Sequence, residues 1–408
     1  MLHSLRGAVK TYPRQFWLLF IGMLISTTGA SMIWPFLMLY VSKRLNLPLT
    51  QSASLLTISA VMGLIFSFVA GPITDRFGRK WVMVISLAVN GICYAFMGFA
   101  STYTSFAILQ ALMGAFNPLY RVGADAMTAD LIPKEQRPEA YSLMRMSNNV
   151  GVAIGPALGG FLATQSYSTA FFLAAAGMIT YSLLILLNAH ETLPDHSTAG
   201  MPVGQLLSGY QKIFRDGRFM GFILAFTLTS MMSSLMWTIL PVYTNSQFGL
   251  REDLYGFIPT TNAVMVVLLQ YLVTQQTKKK PMVPMMALGA AFYMVGTTAV
   301  SIFSGFWGFW ACMVVHTIGE LILVPTATTY AANLAPSDMR GRYMSIYGLT
   351  WNVASGIAPL VGGYLSDHFG AVTPWYGSGF IGLLSLMVYL RLYIRSRKST
   401  EEPAVIGS

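Results

Sequence analysis

Charged residues at helical spacing occur inside apolar sequence, where they could do chemistry. Arg121 and Asp125 stand four residues apart in YRVGADAMTAD (residues 120–130), which otherwise reads as a membrane helix, and Asn117 precedes them at the same spacing. Such a spacing puts the three on one helix face. Charges within a membrane span are costly and mark functional sites. The stripe is therefore predicted to supply a positive subsite and a titratable acid to a cavity. A static Arg121–Asp125 pair is the alternative.

A second acid is Glu320 in HTIGELILVP (316–325), one turn after His316 and with no lysine or arginine one turn away in the sequence. Burial favours the neutral form of a carboxyl group. A membrane carboxylate that protonates easily is what proton coupling requires. Glu320 is therefore predicted to carry the proton, with Asp125 and Arg121 as the other coupling residues. A hydrogen-bonded structural acid is the alternative.

The composition predicts an integral membrane protein. Of 408 residues, 54% are hydrophobic and only 10% are charged, against about 25% charged in soluble domains. The net charge of +10 comes from short basic clusters between apolar stretches, so no nucleic-acid partner is predicted. Cys93 and Cys312 lie in apolar segments and are predicted to be packing residues. The sequence contains no nucleotide-binding loop, metal constellation or catalytic triad, so no enzyme activity, metal or cofactor is expected.

Apolar runs long enough to cross a bilayer as helices number twelve. They cover residues 15–42, 52–73, 81–100, 104–131, 139–163, 169–189, 218–246, 254–275, 281–304, 306–334, 342–366 and 374–394. The first run is too long for a signal peptide and is interpreted as a retained span. The predicted fold is therefore all-α, with twelve transmembrane helices in the lipid bilayer.

Basic residues predict the orientation of these spans. Twenty of the 25 lysines and arginines lie in the tails and loops on the N-terminal side, and three (Lys43, Arg44 and Arg251) lie on the other. The positive-inside rule therefore places both termini in the cytoplasm of a cell-membrane protein. The polar stretch 190–217 marks the midpoint. The predicted domains are 1–189 and 218–398, six helices each, with a cytoplasmic linker 190–217 and a cytoplasmic tail 399–408.

The two halves repeat at a constant offset of 203 residues. LIPKEQR (131–137) aligns with LAPSDMR (334–340), Trp34 with Trp237, Asn149 with Asn352 and Pro156 with Pro359. Two six-helix pseudo-repeats related in this way are typical of one large transporter architecture.

The loop GPITDRFGRK (71–80) resembles the signature loop of the major facilitator superfamily. It meets each fixed position of that signature, at Gly71, Asp75, Arg76, Gly78, Arg79 and Lys80. The resemblance implies a cytoplasmic latch in which Asp75 lies near a helix N-terminus of the other half and Arg79 pairs with Asp130. The alternative interpretation is an ordinary basic loop that follows the positive-inside rule. The second half has Gln275 where Asp75 would be, so only one latch is expected.

The stretch GVAIGPALGG (151–160) is similar to a motif of the antiporter branches of that superfamily. Its members are Gly151, Gly155, Pro156, Gly159 and Gly160. Glycines four apart allow two helices to approach closely, and the proline permits a bend. The resemblance implies efflux rather than uptake. A simple packing seam is the alternative, and span four departs from the branch by carrying Gln110 where an arginine is usual.

These features predict a proton-driven exporter of small amphipathic molecules, resembling multidrug antiporters. It is expected to act as a monomer by alternating access, with the proton gradient as its energy source. The predicted substrate cavity contains Arg145, Asn117, Asn149, His316, Trp34 and Trp237, with 26 methionines available for adaptable apolar surface. The alternatives are a specific transporter, including a symporter, of a metabolite, sugar or lipid-linked anion, and a transporter-like sensor without flux.

Overall fold

The computed structural model describes residues 12–193, 212–336 and 339–401. Most of the predicted linker 190–217 and most of the predicted tail 399–408 lie outside these residues. Within the described ranges all regular structure is helical, which confirms the predicted all-α fold. The twelve long helices are α1 (Arg14–Leu45), α2 (Leu49–Phe77), α3 (Arg79–Met97), α4 (Tyr103–Leu131), α5 (Arg137–Gln165), α6 (Tyr167–Asn188), α7 (Gly217–Thr238), α8 (Glu252–Thr277), α9 (Met282–Thr298), α10 (Gly305–Leu334), α11 (Arg340–Phe369) and α12 (Thr373–Glu401).

Nine helices in the described part of the chain are long and apolar enough to cross a membrane, namely α1–α3, α6–α10 and α12. The three long helices that fall short of this criterion are α4, α5 and α11. α4 and α5 carry charged side chains within their length, such as Arg121 and Arg145, whereas α11 has charges only near its ends and polar residues such as Asn352 between them. Polar residues inside a spanning helix face a protein interior or water rather than lipid. These three helices are therefore expected to border a functional surface.

The first and seventh predicted spans are interrupted at equivalent places. In α1 a short 3-10 turn, Trp34–Phe36, separates Arg14–Ile33 from Leu37–Leu45. Pro35 lies in this turn, and proline lacks the N–H that a continuing α-helix needs. α7 ends at Thr238 and a short helix, Leu240–Phe248, follows it. The repeated tryptophans, which are 203 residues apart, lie at both breaks: Trp34 begins the 3-10 turn, and Trp237 is the last residue but one of α7.

The described helices group into two compact units. Unit 1 contains α1–α6 together with residues 240–267, which form the short helix and the first part of α8. Unit 2 contains α7, the rest of α8 and α9–α12. The first part of α8 therefore packs with the N-terminal helices, although it follows the predicted midpoint. The predicted domain boundaries remain a prediction.

Equivalent helix pairs cross in the two units at equivalent residues. A Cβ on Gly159 of α5 would meet the Met32 carbonyl of α1, and a Cβ on Gly362 of α11 would lie 2.6 Å from Leu235 of α7. Residues 159 and 362, and 32 and 235, are each 203 apart. The internal repeat in the sequence is therefore also a repeat of packing.

The same crossing of the third and sixth helices is built in opposite ways in the two units. In unit 1 a Cβ on Gly91 of α3 would lie 2.7 Å from Ile179 of α6. In unit 2 the equivalent residues are Met294 of α9 and Gly382 of α12, where a Cβ on the glycine would lie 2.7 Å from the Met294 Cβ. The glycine therefore lies on α3 in unit 1 and on α12 in unit 2, and the two helices approach each other closely in both units.

Candidate functional site

The polar stripe predicted on α4 lies on an exposed helix face of unit 1. Asn117, Arg121 and Asp125 are all exposed, whereas Gly114, Gly123 and Ala124 beside them are buried. The Tyr141 hydroxyl of α5 donates a hydrogen bond of 3.0 Å to the backbone carbonyl of Asp125. The structure therefore joins the α4 stripe to the neighbouring face of α5.

Arg121 and Asp125 do not form an ion pair in this structure. Four ion pairs within 4.0 Å occur among the described residues, and the Arg121–Asp125 pair is not one of them. Both residues are exposed, and their charges interact over a longer distance than that of a contact ion pair. The predicted static pair is not formed here, and the coupling role of Asp125 remains a prediction.

Three polar residues of α5, Arg145, Asn148 and Asn149, differ in their surroundings. Arg145 is exposed and Asn149 is half-buried. Asn148 turns towards α1, where its Oδ1 accepts a hydrogen bond of 3.2 Å from the Thr27 hydroxyl. Of these three residues, Arg145 and Asn149 therefore stay accessible, while Asn148 fixes α5 against α1.

The predicted pair of Arg79 with Asp130 is present at the end of unit 1 where α1 begins. Arg79 Nε lies 3.2 Å from Asp130 Oδ2, and its Nη2 lies 3.2 Å from Asp75 Oδ1. The Arg79 side chain is 11% exposed, and Asp130 and Asp75 are 27% and 65% exposed. Because buried charges interact more strongly, Asp130 is the more important partner of Arg79. The role of this loop as a latch remains a prediction.

Glu191, which follows α6, caps the N-terminus of α3. Its carboxylate accepts hydrogen bonds from the backbone N–H groups of Arg79 at 2.9 Å and Lys80 at 3.1 Å. The first N–H groups of a helix have no partner within the helix, and the helix dipole favours an anion there. The Thr192 hydroxyl then donates to Asp130 Oδ2 at 2.9 Å. The start of the predicted linker is thus bound to the signature loop.

Gly78 is required at this site for two reasons. Its φ of +90° is a conformation that favours glycine, and a Cβ there would overlap the Glu191 carboxylate. A Cβ on Gly71 would meet nothing within 4 Å, so no contact explains that glycine. Arg76 lies over Phe77 and Lys80 over Trp81, each 5.7 Å from the ring centroid.

We expect Asp130→Asn to destabilise the protein more than Asp75→Asn does. Asp130→Asn removes the better buried partner of Arg79 and should lower the free energy of unfolding by about 1–3 kcal/mol. Asp75→Asn removes an exposed partner and should cost less than about 1 kcal/mol. Thermal unfolding of the purified variants in detergent measures the difference. Equal shifts for the two variants would contradict this ranking.

The antiporter-type motif on α5 has two packing faces. Gly151, Gly155 and Gly159 face α1, where added Cβ atoms would meet Thr27, Ser31 and Met32. Pro156 and Gly160 face α8: a Cβ on Gly160 would overlap the Glu252 carbonyl, and one on Gly256 would lie 2.5 Å from the Pro156 carbonyl. The motif is therefore a double seam that holds α5 against both neighbours.

Polar contacts also join α8 to unit 1, some of them at the end of the unit opposite to the 71–80 loop. Glu252 Oε1 lies 2.8 Å from Lys43 Nζ and accepts a hydrogen bond of 2.9 Å from the Tyr167 hydroxyl. The Thr260 hydroxyl donates to the Ala153 carbonyl at 2.9 Å. The sequence analysis missed this cluster. The available signal was that Lys43 and Glu252 are opposite charges in loops predicted to lie on the same membrane side.

His316 and Glu320 lie on α10 in unit 2. His316 is fully buried; its Nε2 lies 3.3 Å from the Ser233 hydroxyl of α7, and its ring centroid lies 4.1 Å from that of Tyr293 on α9. Its Nδ1 is buried without a hydrogen-bond partner among the described residues. Glu320 is half-buried and lies close enough to Tyr293 to interact with it electrostatically. His316 therefore lies in a helix interface of unit 2, and its predicted place in the substrate cavity stays a prediction.

The two repeated tryptophans differ in exposure. Trp34 in the 3-10 turn of unit 1 is 42% exposed, whereas Trp237 at the end of α7 is half-buried. Their predicted contribution to a substrate cavity remains a prediction.

Comparison with known proteins identifies the family. A family profile described as "Major Facilitator Superfamily" matches residues 19–296 and 230–407. The chain belongs to the Major Facilitator Superfamily. This major facilitator protein is a multi-pass membrane transporter and not an enzyme, which confirms the predicted fold class and the resemblance carried by the 71–80 loop.

Curated relatives of this major facilitator protein align over most of its length. YttB of Bacillus subtilis (strain 168), an uncharacterized MFS-type transporter, is 27% identical over 97% of this chain and 100% of its own. A Na(+), Li(+), K(+)/H(+) antiporter of Planococcus maritimus is 25% identical over 94% of this chain and 97% of its own. The multidrug resistance protein MdtH of Escherichia coli O157:H7 is 25% identical over 78% of this chain and 79% of its own.

Solved structures share the fold of this major facilitator protein. The nucleoside transporter NupG superposes with a TM-score of 0.81 at 10% identity, covering 93% of this chain and 99% of its own. A POT family transporter in complex with 5-aminolevulinic acid gives a TM-score of 0.77 at 17% identity, covering 95% and 97%. At these identities the likeness shows the fold alone.

Proposed function

We propose that this major facilitator protein is a proton-coupled secondary transporter that exports small amphipathic molecules by alternating access. The observation that carries the proposal is the set of ionisable side chains inside spanning helices, with Arg121 and Asp125 on the exposed face of α4 and Glu320 half-buried on α10. Intramembrane carboxyl groups are the usual means by which transporters bind and release protons. Glu320 is the first proton carrier in this proposal and Asp125 the second.

Export rather than uptake is supported by the antiporter-type motif and by the names of two relatives. The α5 seam of Gly151, Gly155, Pro156, Gly159 and Gly160 contacts both α1 and α8. The relatives from Planococcus and Escherichia are called an antiporter and a multidrug resistance protein. In the proposal the protein lies in the cytoplasmic membrane as a monomer with both termini in the cytoplasm, and the proton gradient is its energy source.

Proton movement in liposomes tests the proposal. Protein reconstituted into pyranine-loaded liposomes under an imposed pH gradient should move protons when an amphipathic substrate is added. Protein-free liposomes serve as the control. Proton movement on addition of Na⁺ or K⁺ alone would instead indicate cation/proton exchange. A sensor without flux would bind ligands but give no proton signal with any of them, and that result would overturn the proposal.

A further inference from the structure

The face shared by α4 and α5 carries two arginines at the same level. The two helices are antiparallel neighbours in sequence, and the hydrogen bond from Tyr141 to the Asp125 carbonyl fixes their register. One turn further along both helices, Arg121 is level with Arg145. One more turn brings Asn117 level with Asn149.

Both arginines lie deep in their helices and are exposed. Arg121 is ten residues before the end of α4 at Leu131, and Arg145 is eight residues after the start of α5 at Arg137. At 1.5 Å per residue these separations are about 15 Å and 12 Å. An arginine at such depth is too costly to face lipid, so the exposed face of α4 and α5 must border water.

Neither arginine lies within 4.0 Å of a carboxylate oxygen among the described residues, although Asp125 interacts with Arg121 over a longer distance. Asp125 stands one turn from Arg121 without pairing with it, and the residues one turn from Arg145 are the neutral Tyr141 and Asn149. The face therefore presents two guanidinium groups and one carboxylate, a net positive charge, to the water beside it.

We propose that Arg121 and Arg145 together bind an anionic group, such as a carboxylate, on the transported molecule. A guanidinium group presents a planar set of N–H donors that can bind both oxygens of a carboxylate. A second guanidinium at the same level adds positive charge, which attracts an anion but not a neutral solute. In this proposal the side-chain amides of Asn117 and Asn149, one turn away, bind polar atoms of the transported molecule that lie closer to its apolar part. The inference rests on the proposed function in taking this face as the one that substrate reaches, and it narrows the substrate class to amphipathic anions.

A series of ligands with one ring system and three charges tests the inference. Fluorescence titration of the purified full-length protein with dansylglycine, dansylglycinamide and monodansylethylenediamine compares an anion, a neutral amide and a cation. Dansylglycine should bind at least about tenfold more tightly than the amide, and the amine should bind most weakly. Arg145→Gln and Arg121→Gln should each abolish the preference for the anion, because either change leaves one guanidinium and the Asp125 carboxylate on the face, with no net positive charge.

Two matched variants control for charge and folding. Arg44→Gln removes an exposed arginine at the far end of α1 and should leave the preference unchanged, and Arg145→Lys should keep part of it. If a glutamine variant does not fold, the three affinities of the wild-type protein still test the preference for the anion. Equal affinity for dansylglycine and dansylglycinamide, or no binding of any of the three, overturns the inference. So does loss of the preference when phosphatidylglycerol is added, because the bound anion would then be a lipid headgroup.

The outcome separates this inference from the proposed function. Proton-driven flux of dansylglycinamide with no preference for the anion would refute the anion site and leave the exporter intact. A preference for dansylglycine that depends on Arg145, without proton movement in liposomes, would support the site and refute proton-coupled export.

Discussion

Gly160→Ala is expected to destabilise the protein and to impair transport, although it adds a single methyl group. That methyl group would overlap the backbone carbonyl of Glu252 on α8. A backbone atom cannot move aside as a flexible side chain can, so α5 and α8 must separate. Overpacking of this kind costs about 1–3 kcal/mol, and the separation also strains the contacts of Glu252 with Lys43 and Tyr167.

Thermal unfolding in detergent and flux in liposomes measure these effects. Gly348→Ala is the matched control, because a Cβ at this exposed position of α11 would meet nothing within 4 Å. Alanine is the better helix former by about 0.8–1 kcal/mol, so the control should be neutral or slightly stabilising. If Gly160→Ala behaves like Gly348→Ala, the close seam between α5 and α8 does not hold in the functioning protein.

Glu320→Gln is expected to abolish transport that is driven by a proton gradient while leaving ligand binding intact. Glutamine has the size of glutamate and keeps its hydrogen-bonding capacity, but it cannot gain or lose a proton. Glu320 is half-buried beside a closely packed helix interface, where the similar shape of glutamine should preserve folding. Substrate accumulation under an imposed gradient should fall to the level of protein-free liposomes.

The measurement pairs that flux with ligand binding over a range of pH values. Glu135→Gln, which changes an exposed acid in the loop between α4 and α5, should transport like the wild type. Continued movement of substrate against its gradient by Glu320→Gln would remove Glu320 as the essential proton carrier. Asp125→Asn, on the exposed face of α4, would then be the next variant to measure.

Helix positions were predictable from the sequence because a membrane span must be long, apolar and internally hydrogen-bonded. The predicted spans 104–131 and 306–334 agree with α4 and α10 to within one residue. The break after Trp237 inside the predicted span 218–246 was missed. Hydropathy averages over a whole segment, and it contains no information on a local interruption of the backbone.

The candidate site was predictable in its residues and less so in its partners. Periodicity placed Asn117, Arg121 and Asp125 on one face, because positions within one helix have fixed geometry. No comparable regularity predicts which side chains of distant segments come into contact. Glu191, which caps α3, is 112 residues from Arg79, and Glu252, which binds Lys43, is 209 residues away from it. Resemblance to a family supplied the Arg79–Asp130 pair, and no motif marked the other two.

The exchange of glycine between α3–α6 and α9–α12 has a consequence for sequence variation. At each crossing one small and one large residue share a fixed volume, Gly91 with Ile179 in the first half and Met294 with Gly382 in the second. Enlarging the glycine alone should be harmful, whereas shrinking its partner at the same time should restore the fit. Positions 91 and 179 should therefore covary among homologues, as should 294 and 382. A chimera that joins α3 of one half to the α6 equivalent of the other would place either two glycines or two large side chains at the crossing, which leaves a void or a clash.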